Sequence, residues 1–267
     1  MLLMEKVAKL VGQNETFALA MIIESKGSTP RHVGKMIVYP DGAIEGTVGG
    51  GYAELYVIKE SVKAIEKGRS TIVECKLNMD AKGGLPMLCG GVIRVFIEVY
   101  TKKPELVFVG AGHVGYALSK LADILEYPYS IIDDRIDYCT KERFPNAKHL
   151  FVDEEIEQAI MKANLNENSH VAIFSKDCDF VALRTVLKYP CAYIGMIGSK
   201  RKVILIFEKL KERGVHPEQL EQVHSPIGIE IGAETSEEIA ISIMAEIIRE
   251  SRAKTHSEVD DKENAFR

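Results

Sequence analysis

Three glycines and an acid carry the sharpest chemical signal in this sequence. In Val107-Phe108-Val109-Gly110-Ala111-Gly112-His113-Val114-Gly115 the glycines fall at GxGxxG spacing, after a strand-like run and before a helical pattern. The first glycine permits a tight turn, the second lets a pyrophosphate approach the backbone, and the third lets helix and strand pack closely. The helix start then turns its free N–H groups toward the anion. Asp133 and Asp134 end the next apolar run, near the ~20-residue spacing at which this fold sets an acid against a ribose hydroxyl. Asp133 points to an NAD-like ligand, whereas neighbouring Arg135 keeps a 2′-phosphate open. A Rossmann scaffold without a ligand is the bland alternative.

A second anion candidate is Ile194-Gly195-Met196-Ile197-Gly198-Ser199-Lys200-Arg201-Lys202. Backbone N–H groups, the Ser199 hydroxyl and the Arg201 guanidinium suit phosphate or carboxylate. Cations at a helix start oppose its dipole, so a bound anion would relieve the conflict; a solvated basic turn is the alternative. Three glycine-bearing loops mark the first hundred residues: Gly27 to Arg31, Gly46 to Gly51, and Pro86 to Gly91. The run Gly49-Gly50-Gly51 costs backbone entropy that folding does not obviously need, which points to close approach of a ligand. Beside Gly90 and Gly91, Cys89 would present a thiol able to bind a soft metal or carry a sulfur atom, although a lone cysteine is more often a small hydrophobe. The three loops are expected to converge and to face the Rossmann crevice, from the same chain or a neighbouring copy. Cys75, Cys139, Cys178 and Cys191 read as structural. The histidines show neither HxH nor HExxH spacing, and neither a Walker A nor a GxSxG motif is present.

The elements that must position these residues fall into two patterns. Before residue 101, helical periods cover Leu2 to Val11, with Gly12 as the stop, and Tyr52 to Lys67. Strand-like runs cover Phe17 to Glu24, Met36 to Tyr39, Ile44 to Val48, Thr71 to Leu77 and Val92 to Val99. Residues 1–100 are thus expected to form a small α+β domain, followed by a polar, proline-bearing linker at 101–104. Over 105–252 the pattern alternates. Strands are expected at Leu106 to Val109, Tyr129 to Ile132, Val171 to Phe174 and Ala192 to Ile197. Helices fall at Val114 to Leu125, Ile156 to Ala163, Phe180 to Leu187 and Lys202 to Arg213. Alternation of this kind predicts a Rossmann-like parallel sheet covered on both faces, and hence an α/β fold. A last helix begins at Thr235, where Glu238 completes a capping-box spacing. Its stripe Ile239/Ala240, Ile243/Met244, Ile247/Ile248 would pack within the chain or across a homodimer. Residues 253–267 read as a disordered tail.

Composition narrows the function classes. The chain has 267 residues, with 34 Lys plus Arg against 39 Asp plus Glu and a net charge of −5. That field argues against nucleic acid as a partner. Its apolar runs are too short for the ~20 residues that cross a bilayer, and Met1 to Lys6 does not read as a secretory signal. Five cysteines without a CxxC pair exclude a disulfide scaffold and a tetrathiolate zinc site. A cytoplasmic location is the expectation.

Taken in order, the motifs resemble the XdhC/CoxI-type accessory family, the maturation factors of xanthine dehydrogenase and related molybdenum hydroxylases. The matching pieces are Gly27-Ser28-Thr29-Pro30-Arg31, Gly46 to Gly51 with Glu54, Met87 to Gly91, and Gly110 to Gly115 with His113. They continue through Asp133-Asp134-Arg135, Glu142-Arg143-Phe144-Pro145, Tyr193 to Ser199 with Arg201-Lys202, and Pro226 to Ala233. The resemblance implies a chaperone that binds molybdenum cofactor (molybdopterin), shelters it or presents it for sulfuration, and delivers it to an apo-molybdenum hydroxylase. A cysteine desulfurase is a further implied partner. It also implies that Cys89 contacts molybdenum or a transferred sulfur and that the loop residues above bind cofactor; Arg31 or a helix N-terminus nearby would favour the Cys89 thiolate. One segment departs from the family pattern: a Thr-His-Asp-His-like stretch is replaced by Ser175-Lys176-Asp177-Cys178-Asp179. The alternative is an NAD(P)-dependent oxidoreductase, for which no Ser-Tyr-Lys constellation is visible.

Overall fold

The computed structural model describes residues 2–77, 90–175 and 177–256, with side chains to 252. The chain divides into two units, Met1–Lys102 and Lys103–Lys254.

In the first unit, helix α1 (Leu3–Gly12) precedes strands β1 (Phe17–Lys26), β2 (Lys35–Val38) and β3 (Ile44–Thr47). Helix α2 (Gly51–Glu66) and strands β4 (Thr71–Lys76) and β5 (Val92–Tyr100) follow. The strands form an antiparallel sheet in the order β3-β2-β1-β5-β4. The apolar run of β1 is continuous because both sheet faces are covered. Ala18, Ala20 and Ile22 pack with Ala53, Val57 and Ala64 of α2, while Phe17 and Leu19 pack with Val7 and Leu10 of α1. α1 ends at Gly12, and Asn14, at φ 56°, makes the left-handed exit, a conformation asparagine tolerates.

The second unit is a doubly wound α/β domain. It runs β6 (Glu105–Val109), α3 (His113–Leu125), β7 (Tyr129–Asp133), β8 (His149–Val152), α4 (Ile156–Lys162) and β9 (Ser169–Ile173). Then come α5 (Asp179–Val186), β10 (Tyr193–Met196), α6 (Lys200–Glu212), α7 (Pro217–Glu221), β11 (Val223–His224) and α8 (Ser236–His256). All strand pairs are parallel, in the order β11-β10-β9-β6-β7-β8, so the winding reverses between β6 and β9. One face is covered by α4, α5 and α6 and the other by α3 and α8. β6 and β7 are therefore buried at nearly every position, as a sheet covered on both sides requires. Ala240, Ile243, Met244 and Ile247 of α8 are buried in this core, so the stripe packs within the unit. At the head of α8, Glu238 accepts the Thr235 N–H at 3.0 Å and donates its own N–H to Thr235 Oγ1 at 3.2 Å, closing the capping box. The helix continues past Ala253 to His256. Among the described residues no helix is long and apolar enough to cross a membrane.

Candidate functional site

The glycine loops of the first unit meet. A methyl group placed on Gly91 would sit 2.2 Å from the Ser28 carbonyl oxygen and 2.6 Å from Thr29 Cγ2, so these backbones are in direct contact. Gly49 lies against the same turn, its Cβ position 3.4 Å from Pro30 Cβ. Gly90 and Gly91 are fixed from the far side by hydrogen bonds of 2.8 Å with Leu77. Beside the Gly27–Arg31 turn, the Ser25 hydroxyl lies 2.8 Å from Thr29 Oγ1 and 3.0 Å from His32 Nδ1. Arg31 is exposed. Cys89, the expected metal contact, lies outside the described residues.

Glu54 bonds back to the loop that precedes its own helix. Its Oε2 accepts the Thr47 hydroxyl and the N–H groups of Val48 and Gly50, at 3.0 and 3.2 Å for the two amides. Burial works to raise its pKa, but these donors outweigh it and hold the carboxyl below the usual range. Through Oε2, Glu54 thus pins the Val48–Gly50 backbone ahead of α2. No side chain caps α2, which starts at Gly50 and Gly51, so its first-turn amides keep their capacity for an acceptor.

In the second unit Gly110, at φ 127°, turns the chain between β6 and α3, and Gly112 begins the helix without a side-chain cap. Gly115 has to be glycine on packing grounds, since a methyl group there would lie 2.1 Å from the Gly110 carbonyl oxygen. His113 is exposed on the first turn. Asp133 ends β7 but is only 2% exposed. Its Oδ2 accepts Ala111 N–H at 2.5 Å and Arg135 Nη2 at 2.9 Å, while Oδ1 accepts Arg135 N and Nε at 2.9 and 2.8 Å. Burial pushes its pKa up, yet the Arg135 fork and the two amides prevail and hold it low. The carboxylate expected against a ribose is therefore engaged in holding the glycine loop. Asp134, 35% exposed on its side chain, lines a cavity with Gly110, Ile156, Ser175, Asp177 and Cys178. A larger cavity of about 330 Å³ opens at the opposite strand ends of this unit, lined by Glu105, Lys148 and His149 among others, away from the Gly110–Gly115 loop.

Arg143 is a residue that motif logic overlooked. Its Nη2 donates to Ala111 O at 3.1 Å, and its guanidinium lies over the Tyr116 ring at 5.1 Å. Its presence in Glu142-Arg143-Phe144-Pro145 was the available signal.

At the second anion candidate, the Ser199 hydroxyl caps α6 by accepting Lys202 N–H at 3.3 Å. Lys202 Nζ pairs with buried Asp179, which also accepts from Ser175 Oγ at 2.9 Å. Arg201 is exposed. The described thiols are chemically quiet. Burial pushes Cys75 and Cys139 to about 11 and Cys191 to about 12, and burial with the Asp134 carboxylate pushes Cys178 to about 11. Among the described residues no three metal-ligating side chains gather.

Two family models match this chain: the XdhC Rossmann domain over residues 106–247, and the XdhC and CoxI family over residues 10–75. The chain belongs to the XdhC and CoxI family. This XdhC/CoxI chain is 37% identical over 244 residues to "Uncharacterized protein YqeB" of Escherichia coli (strain K12), covering 91% of the chain and 45% of that protein. It is 31% identical over 157 residues to a probable xanthine dehydrogenase subunit of Bacillus subtilis (strain 168), covering 58% of the chain and 45% of that protein. It spans less than half the length of these curated relatives. The crystal structure of a xanthine dehydrogenase from Bacillus halodurans aligns with TM-score 0.53 over 96% of this chain and 97% of that one. At 21% identity that likeness bears on the fold alone.

Proposed function

We propose that this XdhC/CoxI protein is an accessory factor for a molybdenum hydroxylase of the xanthine dehydrogenase type. It holds molybdenum cofactor as cargo, shelters it or presents it for sulfuration by a cysteine desulfurase, and passes it to the apo-hydroxylase. The observation that carries this reading is the meeting of the Gly27–Arg31, Gly49–Gly51 and Gly90–Gly91 backbones in one place. The cargo is a pterin with a phosphate and a dithiolene-bound metal, and the residues present suit it. Space beside Gly50 and Gly90 is open where a Cβ would stand, so a flat ring system can approach the backbone. The uncapped start of α2 and exposed Arg31 supply donors for a phosphate. Cys89, next in sequence to Gly90, would supply a soft ligand. Delivery requires release, which loops at a surface serve better than a closed cage.

The test is to purify the full chain from cells that make the cofactor and to measure bound molybdenum and pterin. Wild-type protein is expected to carry both. Cys89→Ser, which nearly preserves volume while removing the soft ligand, is expected to fold normally and lose both cofactor and client activation. Undiminished molybdenum content and client activity in that variant would overturn the role given to Cys89.

A further inference from the structure

We propose that the second unit carries a small-molecule site at the amino ends of its strands, suited to a flat organic acid with a polar group opposite its carboxylate. In open parallel sheets the usual ligand crevice lies beyond the strand C-termini, so this site stands on the other edge of the sheet. The proposal rests on the second unit alone and is independent of the cargo reading.

The cavity of about 330 Å³ lies at the first residues of β6, β7, β8 and β9, against the end of α4. That volume is at the small end of the range for ligand pockets. Two observations point to an occupant, and the first is Ser130. Successive strand residues face opposite sides, so Ser130 shares the face of Ile132, which packs with Ile156 and Ile160 of α4. It lines the cavity and is 9% exposed, and among the described residues its hydroxyl has no hydrogen-bond partner. Two other buried serines of this unit are engaged: Ser119 Oγ donates to the Tyr116 carbonyl at 2.8 Å, and Ser169 Oγ accepts Asn166 N–H at 3.0 Å. Buried polar groups are normally satisfied, and a ligand hydroxyl at the deep end of the cavity would satisfy this one.

The second observation is the charge at the rim. Lys148 and Lys162 line the cavity against a single carboxylate, Glu105. Lys148 Nζ pairs with Glu105 at 3.2 Å and Lys162 Nζ with Asp153 at 2.8 Å, and both lysine side chains are more than half exposed. Exposed pairs of this kind contribute little, so a ligand carboxylate can take over either ammonium at small cost. The net positive rim favours an anion and opposes a cation. Val107, Phe151 and Ala163 add apolar wall for a flat body.

The experiment is a calorimetric titration of the full chain with 4-hydroxybenzoate, benzoate and benzylamine. 4-Hydroxybenzoate is expected to bind about threefold to tenfold more tightly than benzoate, the worth of one hydrogen bond, and benzylamine is expected not to bind. Ser130→Ala is expected to bring the two acids to equal affinity, and the double variant Lys148→Gln, Lys162→Gln to weaken both acids alike. The wild-type comparison needs no variant to fold. Failure of both acids to bind at millimolar concentration, or binding of benzylamine as tight as that of benzoate, would overturn the site. Equal affinity of the wild-type chain for the two acids, or a preference retained in Ser130→Ala, would overturn the role given to Ser130.

Discussion

The turn at Gly110–Gly115 and the turn at Gly195–Lys202 read alike as sequence. Each takes a buried strand through glycine to a helix start. In the second turn the groups that could hold an anion serve the fold: Ser199 caps α6, and Lys202 neutralises buried Asp179. In the first, side chains grip the loop from outside. Asp133 takes the Ala111 N–H, Arg143 takes the Ala111 carbonyl, and the start of α3 keeps its amides uncapped. A binding loop is distinguished less by its glycines than by which donors remain after the protein has satisfied itself.

The comparison breaks most visibly at Asp133. Asp133→Asn loses charge-assisted bonds to Ala111 and Arg135 and is expected to destabilise the second unit by about 2–3 kcal/mol. A urea titration followed by tyrosine fluorescence would measure the shift. Because the folded carboxyl is held below its ordinary value, its stabilisation is complete above pH ~4 and is lost as pH falls through the lower folded value. The Asn variant should lack that acid-side slope. A smaller effect is expected for Lys202→Met, which strands the Asp179 carboxylate with Ser175 as its remaining partner. About 1–2 kcal/mol of stability should disappear in the same titration. Smallest is Ser199→Ala, the loss of one cap, at about 1 kcal/mol. The same titration measures it; a loss as large as that at Asp133 would mean that the two turns are held alike after all.

Much of the fold was legible because it rests on periodicity. The run through β6, the glycines, α3 and β7 is written in apolar strands and turn chemistry, and the α8 stripe and its capping box are equally local signals. Three elements were not legible. β8 is a short edge strand containing His149, β11 spans only Val223 and His224, and α7 is five residues long with a proline near its start. None is long enough for a period to show, and pairing with the neighbouring strand or helix defines them. The candidate site was legible in place but not in role. Residue type says that Asp133, Glu54, Ser199 and Lys202 are polar. It does not say whether each faces outward or closes on its own backbone, because that depends on partners brought in from β3, the Gly110–Gly112 loop and α5. Arg143 escaped for the converse reason: it reaches the glycine loop from a segment far along the chain.

The four described cysteines, buried or beside a carboxylate, hold their protons well above neutral pH. In a chain with five sulfhydryls in all, that makes alkylation a counting instrument. Against so muted a background, a single equivalent of fast-reacting label in the native state would have one address to be assigned to, and sulfur transfer could be followed by mass on one residue without rebuilding the other four.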